Sequence, residues 1–395
     1  MYKAFLFFTL WYNQRLFVTS LSQNSPSLKE IKICTVMDQA GYTPVSALGE
    51  FRLIDRMTEK FSSYHEQVVR GIGDDAAVVK TADGMVDVIS TDLLVEKVHF
   101  DLSYVPLKHL GYKSVIVNLS DVVAMNAQPY GITVSIGVSN RFPVEALDEL
   151  YAGIHQACQQ YKVNLLGGDT TSSKVGLVIS ITAMGRAKEE KIVYRSGAQK
   201  NDLICVSGDL GGAYAGYLVL ERERRVFLDK PDLQPDLSDY DYVVGRQLKP
   251  EARVDILQIL ENAGVQPTSM IDISDGVASE LNHICNQSKC GAKIYSNKMP
   301  IDFQTVSVSN EFKISQNTFA LNGGEDYELL FTIPLADFAK IQKIPEIQVI
   351  GSITEEQNSV FLILDDGSQM DLDAEGFDHF SSDEIIEGNE LEQEL

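Results

Sequence analysis

Gly71-Ile72-Gly73-Asp74-Asp75-Ala76-Ala77 is the stretch whose reading decides the fold. Short apolar runs flank it, Val68-Val69 before and Ala76 to Val79 after, so it reads as a glycine loop between two strands presenting adjacent carboxylates. The same pattern recurs further along. Ser90-Thr91-Asp92, Asn118-Leu119-Ser120-Asp121, Gly167-Gly168-Asp169-Thr170-Thr171 and Ile271-Asp272-Ile273-Ser274-Asp275-Gly276 each set an acid at or beside the end of an apolar run. Taken singly, each Asp is an ordinary turn or helix cap. Repetition in similar settings points instead to ligand loops gathered on a rigid scaffold. Carboxylates packed together repel and raise one another's pKa unless a cation neutralises them. Mg²⁺, which takes a few carboxylates together with substrate phosphates, is the natural cation. The pattern therefore predicts a Mg²⁺-nucleotide enzyme.

Such a site needs no protein general base or covalent nucleophile, and none is assigned. Phosphoryl transfer depends on aligning donor and acceptor and on neutralising the nonbridging oxygens. A phosphate acceptor would already be an anionic nucleophile. There is no His/Cys cluster of zinc spacing and no G-x-S-x-G elbow. His99, beside Phe100, reads by itself as a structural histidine.

The 395 residues, 44% hydrophobic and 23% charged, describe an ordinary folded chain with room for two domains. A net charge of -23 argues against a general nucleic-acid or anionic-membrane binder. It leaves room for a phosphate substrate, because bound metal inverts the local field. Cys34, Cys158, Cys205, Cys285 and Cys290 form no CxxC pair, which fits a reducing, cytoplasmic setting. No run is long enough to span a bilayer. Ala4 to Tyr12 begins like a signal peptide but is broken by Asn13-Gln14-Arg15 without a cleavage site. Residues 1–36 are therefore read as a dispensable extension, with Met37 an alternative start.

Phe51, Ile54, Met57 and Phe61 recur at helical spacing and suggest a packing helix from Arg52 to Phe61. A strand is expected to end at Ser90-Thr91-Asp92, after a turn at Thr81 to Gly84. Then come a helix over Leu107 to Met125, a strand over Ile132 to Val138 and a helix from Pro143 to Tyr161. A strand from Val163 to Leu166 should stop at the Gly167-Gly168-Asp169 loop, before a strand from Val175 to Gly185. This order describes an α+β domain with helices over one sheet face. Beyond it, Leu203 to Ser207, Gly208-Asp209-Leu210-Gly211-Gly212 and Ala213 to Arg225 form a strand, glycine loop and helix. Such a unit could hold phosphate at a helix N-terminus, but it matches neither GxGxxG nor Walker A and reads first as a tight turn. Helices are expected over Glu251 to Asn262 and from Val277. A strand is expected over Leu329 to Thr332, and strands at Gln348 to Ile353 and Ser359 to Leu364 are expected to pair. Ser381 to Leu395 has six acidic and no basic residues and reads as a mobile tail.

In order, Leu48-Gly49-Glu50-Phe51, Gly71 to Ala77, Ser90 to Phe100, Asn118 to Met125, Gly167 to Thr171, Arg195 to Ala198, Ile271 to Gly276, Gly323 to Thr332 and Phe377 to Phe380 carry a family resemblance. The chain resembles the thiamine-monophosphate kinase family, within the aminoimidazole-ribonucleotide-synthetase-like ATP enzymes. Each motif is modest alone, and the ordered set is specific. The resemblance implies a two-domain α+β fold whose N-terminal mixed sheet forms a barrel across a homodimer, with a C-terminal α+β sandwich. It implies a dimerising, ATP- and Mg-binding domain over residues 37–190, a domain completing the substrate site over 191–380, and a tail over 381–395. It also implies direct transfer of the ATP γ-phosphate to thiamine monophosphate, assisted by several Mg²⁺ ions, without a phosphoenzyme.

By that similarity Asp74, Ser90, Thr91, Asp92, Asp121, Asp169, Asp272 and Asp275 belong to the metal shell. Tyr151, Gly168, Asp169, Arg195 and Ser274 match ATP-binding positions, and His99, Glu325 and Phe380 match contacts to thiamine monophosphate. Two departures stand out: Lys97 where the family usually has Gly, and Lys200-Asn201 in place of a usual Pro-Gly. The rival readings are another ATP enzyme of the same superfamily and a non-catalytic metal-binding homodimer. No Cys lies beside Gly71 to Ala77 and the chain ends in Leu395, which weighs against the relatives that use a cysteine there.

Overall fold

A computed structural model describes residues 45–82, 84–357 and 359–372. The chain divides into two units. Within its described residues the first holds a 3-10 turn, Val45–Ala47, and helix α1, Gly49–Thr58. Helix α1 starts earlier than the apolar spacing suggests and stops before Phe61. Met57 and Phe61 are 58% and 75% exposed, so the expected apolar stripe is not buried along its length.

The second unit, Lys60–Phe377, carries two open sheets. The first is built from β1 (Val68–Arg70), β2 (Ala77–Lys80), β3 (Met85–Val95), β4 (Gln128–Val138), β5 (Asn164–Ser172) and β6 (Val178–Lys188), with helices α2 (Leu107–Ala124) and α3 (Val144–Tyr161) between strands. Its order is β1-β2-β3-β6-β4-β5, antiparallel except for the parallel edge pair of β4 and β5. Among the described residues neither this sheet nor the second closes.

Two expected strand ends move. Strand β3 does not end at Asp92 but pairs with β6 along its whole length, from Met85 opposite Lys188 to Val95 opposite Val178. Gly167-Gly168-Asp169 is likewise inside β5, where Gly168 lies opposite Val134. A Cβ on Gly168 would come within 1.8 Å of the Val134 carbonyl oxygen, so glycine serves close strand approach there, not a turn.

The second sheet uses β7 (Leu203–Ser207), β8 (Ser269–Asp272), β9 (Gly291–Tyr295), β10 (Leu329–Ile333), β11 (Ile347–Thr354), β12 (Val360–Ile363) and β13 (Gln369–Asp371). Its helices are α3's successors α4 (Gly212–Asp229), α5 (Asp241–Leu248), α6 (Val254–Ala263), α7 (Val277–Ser288), α8 (Phe303–Glu311), α9 (Gln316–Asn322) and α10 (Phe338–Ile341). The order is β13-β12-β9-β11-β7-β10-β8. Strands β11 and β12 were expected to pair, but β9 lies between them, antiparallel to β11 and parallel to β12. Asp365-Asp366-Gly367 turns the chain from β12 into β13 instead.

Helix α2 is apolar on nearly every side and is correspondingly buried, the usual fate of such a helix. Leu110, Val115, Ile116, Leu119 and Val122 join the core of the first sheet. Val123 and Ala124, at its last turn, join Cys205, Met270, Leu329 and Phe331 of the second. One helix thus belongs to both cores, and its end brings Ser120 and Asp121 to the end of β8. Truncating a fully buried member such as Ile116 to Ala would cost about 2–5 kcal/mol. Among the described residues no helix is long and apolar enough to cross a membrane.

Candidate active site

Three of the acids meet. Asp75 from the β1–β2 loop, Asp121 from the last turn of α2 and Asp272 from the end of β8 place carboxylate oxygens within 4.8 Å of one another. Hydroxyls from the neighbouring motifs hold two of them: Ser90 Oγ donates to Asp121 Oδ2, and Ser120 Oγ donates to Asp272 Oδ2 at 2.6 Å. Asn118 Oδ1 accepts from the Asp92 amide at 3.0 Å and so fastens β3 to α2. Asp75 Oδ1 accepts from Arg195 Nε at 2.9 Å, while its Oδ2 is buried without a hydrogen-bond partner.

The electrostatics follow from this crowding. Burial pushes Asp75 up to about 7 against the pull of Arg195, and Asp272 and Asp74 push the same way. Burial, then the charges of Asp92, Asp272 and Asp75, hold Asp121 well above the usual carboxylate range. Burial also raises Asp92 to about 6. Asp272 rises to about 6 mainly through burial, with Ser120 and Arg195 opposing and Asp92 and Asp275 adding. Hard oxygen donors, mutual repulsion and an orphaned buried carboxylate oxygen fit a divalent ion of the Mg²⁺ type. Asp75, Asp121 and Asp272 would hold it, with Asp92 beside them.

Helix α7 fixes the loops around this group. Glu280, fully buried, accepts from the amides of Ser274 at 3.0 Å and Asp275 at 2.7 Å, and from Ser274 Oγ at 3.2 Å. Gln287 Nε2 donates to the Gly73 carbonyl at 2.7 Å, and its Oε1 accepts from Arg70 Nη2 at 3.0 Å. Ser288 Oγ accepts from the amides of Gly197 and Ala198, both at 3.1 Å. Three motifs far apart in sequence are therefore tied to one helix. The motif search missed Glu280, Gln287 and Ser288, whose only sequence signal is helical spacing after Gly276.

The other residues named from the sequence are distributed as follows. Asp74 turns from the three-acid group: its Oδ1 accepts from the Arg195 amide at 3.1 Å, and its Oδ2 lies 3.3 Å from Arg70 Nη2. The adjacent Asp75, which the family resemblance did not name, joins Asp121 and Asp272. Thr91 Oγ1 donates to the Ile181 carbonyl at 3.1 Å, on the strand that carries Asp92. Asp169 is not brought to the acids. It lies opposite Ser135 on β4, which lies opposite Ser180 on β6, which lies opposite Leu93 on β3. Three strand spacings separate Asp169 from the Asp92 region, about 14 Å. Tyr151 on α3 is half-buried against the first core. His99 Nδ1 accepts from the Val95 amide at 3.0 Å, which puts any neutral-ring proton on Nε2. Glu325 is gripped by Lys113 Nζ at 2.9 Å and Gln247 Nε2 at 2.7 Å. Phe380 lies outside the described residues.

Two further expectations resolve. The N-terminus of α4, considered for phosphate, is already taken: Asp326 accepts from the amides of Gly211 at 2.6 Å and Ala213 at 3.2 Å. The tight-turn reading of Gly208 to Gly212 stands. Lys97 and Asn201, at the two departures from the family pattern, both have φ of 69°. The backbone keeps the left-handed conformation that glycine would adopt there, and lysine and asparagine take it up.

Comparisons with known proteins give the family. The family model described as AIR synthase related protein, N-terminal domain, matches residues 73–187. Thiamine-monophosphate kinase of Bacillus subtilis (strain 168) is 31% identical over 84% of this chain and 100% of its own length. The enzyme of the same name from Buchnera aphidicola subsp. Schizaphis graminum is 36% identical over 84% of this chain and 98% of its own. The solved structure of AaThiL complexed with AMPPCP and TMP superposes with a TM-score of 0.73, at 30% identity, covering 86% of this chain and 100% of that one. The acids of four of the five motifs fall inside the matched domain, and the relatives align over nearly their whole lengths, so the chain belongs to the thiamine-monophosphate kinase family.

Proposed function

We propose that the protein phosphorylates thiamine monophosphate to thiamine diphosphate at the expense of ATP. A phosphate oxygen of thiamine monophosphate attacks the γ-phosphorus, the bond from that phosphorus to the β–γ bridging oxygen breaks, and ADP leaves. The acceptor oxygen is already anionic, so no side chain has to remove a proton. The observation that carries the reading is the convergence of Asp75, Asp121 and Asp272, the first and last of them buried, in a chain of this family. The AaThiL complex with AMPPCP and TMP supports ATP and thiamine monophosphate as the two substrates.

In this reading the acids would hold Mg²⁺, which would supply positive charge against the phosphate oxygens. The near shell comprises Asp75, Asp92, Asp121 and Asp272, with Asp74, Ser90, Thr91 and Asp275 around it and Asp169 as an outlying member. Tyr151, Gly168, Arg195 and Ser274 are assigned to ATP and His99 and Glu325 to the thiamine end, as is Phe380, which lies outside the described residues. The division near residue 190 into nucleotide and substrate halves is supported by the change of sheet between β6, ending at Lys188, and β7, starting at Leu203.

The working form in this proposal is a homodimer whose first sheets close a barrel across the twofold axis. Strand β5 supports it: among the described residues it is an edge strand, paired on one side only, all nine of its residues are exposed, and Leu165 and Leu166 are 50% and 53% exposed. Such an edge is a template for pairing with another chain. A cytoplasmic location is supported by four buried free thiols, Cys158, Cys205, Cys285 and Cys290. The test is to supply purified protein with Mg²⁺-ATP and either thiamine monophosphate or other phosphorylated small molecules, and to weigh the products. Thiamine diphosphate with stoichiometric ADP is expected. ATP turnover on a different phosphate alone would assign the chain to another chemistry of the superfamily.

A further inference from the structure

Two of the cysteines, Cys285 and Cys290, meet where α7 ends. The helix closes on Lys289, whose backbone is left-handed with φ of 55°. The amides of Lys289 and Cys290 both donate to the Cys285 carbonyl, the second at 3.0 Å. Such an ending commonly brings the two flanking side chains into contact. Cys290 N is one bond from its Cα and Cys285 O two bonds from its own, so this hydrogen bond holds the Cα atoms within about 7 Å. That is within reach of a disulfide. Both side chains enter one core cluster, Cys285 fully buried and Cys290 6% exposed. The thiols are free and hydrogen-bonded to each other. That bond holds the Cys290 thiol below its ordinary value, against burial and the charge of Asp202. The same bond, then burial, pushes the Cys285 thiol up. Cys290 is therefore the better nucleophile, with a second sulfur beside it.

The pair sits between a pinned strand and a partly exposed helix end. Cys290 leads into β9, which is paired on both sides, with β11 and β12. A Cβ on Gly291 would come within 2.0 Å of the Glu356 carbonyl oxygen, so the chain has no slack there. On the other side Asn286 and Lys289 are exposed, and Gln287 and Ser288 are half-buried. Gln287 and Ser288 are the residues that bond the Gly73 carbonyl and the amides of Gly197 and Ala198. A covalent bond sets two sulfurs closer than a hydrogen bond does, and the adjustment falls on the helix end. We propose that Cys285 and Cys290 form a peroxide-sensitive dithiol whose oxidation to a disulfide loosens the grip of α7 on the loops around the acidic group. The Cys290 thiolate attacks a hydroperoxide oxygen, the O–O bond breaks, and an alcohol, or water from hydrogen peroxide, leaves with the proton. The resulting sulfenic acid is attacked by the Cys285 sulfur: the S–S bond forms, the S–O bond breaks, and water leaves with the Cys285 proton. Two thiols lose two electrons and the peroxide gains them. In a reducing compartment such a bond is transient and reports oxidant.

The experiment treats the full chain with hydrogen peroxide, blocks remaining thiols with N-ethylmaleimide and maps the digest by mass, in the wild type, Cys285→Ala and Cys290→Ala. A peptide linking Cys285 to Cys290, lighter by two hydrogen atoms than the dithiol, is expected from the wild type. Hydrogen exchange at the Gly197 and Ala198 amides should quicken on oxidation. Turnover of thiamine monophosphate should fall about 10-fold or more, since loops misplaced by about 1 Å can cost about 100-fold. Dithiothreitol should reverse all three changes, and neither variant should show them. Absence of the linked peptide overturns the proposal. So does a linked peptide with exchange and turnover unchanged, or an equal loss of turnover in Cys290→Ala. Should one variant fail to fold, the other decides by the same readouts. Only the turnover arm rests on the function given above. If the untreated protein does not turn over thiamine monophosphate, that functional reading falls, and the mass and exchange results decide the dithiol by themselves.

Discussion

Ser120 Oγ donates to Asp272 Oδ2 at 2.6 Å across 152 positions of sequence. This bond joins the end of α2 to the end of β8, the point where both sheets contribute to one acidic group. Ser120→Ala removes a buried donor to a carboxylate, worth about 1.5–3 kcal/mol. Steady-state kinetics across a Mg²⁺ series should show the half-saturating Mg²⁺ rising about 10-fold or more. An unchanged Mg²⁺ dependence would separate this bond from the metal site.

Asp121→Asn and Asp92→Asn keep side-chain shape and remove charge where phosphate and cation must be balanced. Turnover should drop by about 10²–10³-fold, the scale of losing one electrostatic element of a phosphoryl-transfer site, with circular dichroism unchanged. Wild-type rates in Asp121→Asn would remove Asp121 from the chemistry.

The crowded acids also set a pH dependence. Burial raises Asp75 to about 7 and Asp92 and Asp272 to about 6 in the folded protein, above the ordinary Asp value near 3.8. Between those limits the folded state binds more protons than the unfolded one, so stability falls as pH rises. The contribution is fully present below about pH 4 and lost as pH passes through 6 to 7. Melting of chelator-treated protein should therefore show a lower Tm at pH 8 than at pH 5.5 from these groups. Added Mg²⁺ should raise Tm most at pH 8, where the acids are ionised, and a Mg²⁺ effect independent of pH would contradict this.

Lys97 is held at φ 69° and also reaches Asp101 Oδ2 at 2.6 Å. Lys97→Gly relieves backbone strain of about 1 kcal/mol and loses a partly exposed ion pair of similar or smaller size. Denaturant unfolding should find the two stabilities within about 1 kcal/mol. Lys97→Val, β-branched in the same left-handed position, should be clearly less stable than both.

Leu165→Arg places a charge on the exposed edge strand β5. If the edge is the pairing surface, sedimentation should show a dimer in the wild type and a monomer in the variant. A monomeric wild type would dispose of the closed barrel.

Much of the fold was legible because apolar periodicity reports local structure. The spans of α2, α3 and α7 lie within a few residues of the pattern, since each must bury one face or, for α2, all of them. Strand limits were less legible. Asp92 and Asp169 looked like chain breaks because acids and glycines favour turns, yet both lie within strands whose partners β6 and β4 come from elsewhere in the chain. The pairing of β11 with β12 failed for the same reason: nothing local to them announces that β9 will lie between.

Residue types and their order were enough to point to the family: repeated carboxylates beside small residues recur in an order that matches the thiamine-monophosphate kinases. Tertiary structure alone decided which of the acids come together. It set Asp75 beside Asp121 and Asp272, turned Asp74 toward Arg70 and the Arg195 amide, left Asp169 three strands away, and tied the Ser274-Asp275 loop to Glu280. The reason is physical. A side chain's identity is local, but its direction, burial and partners depend on strands and helices that meet it only once the chain has folded.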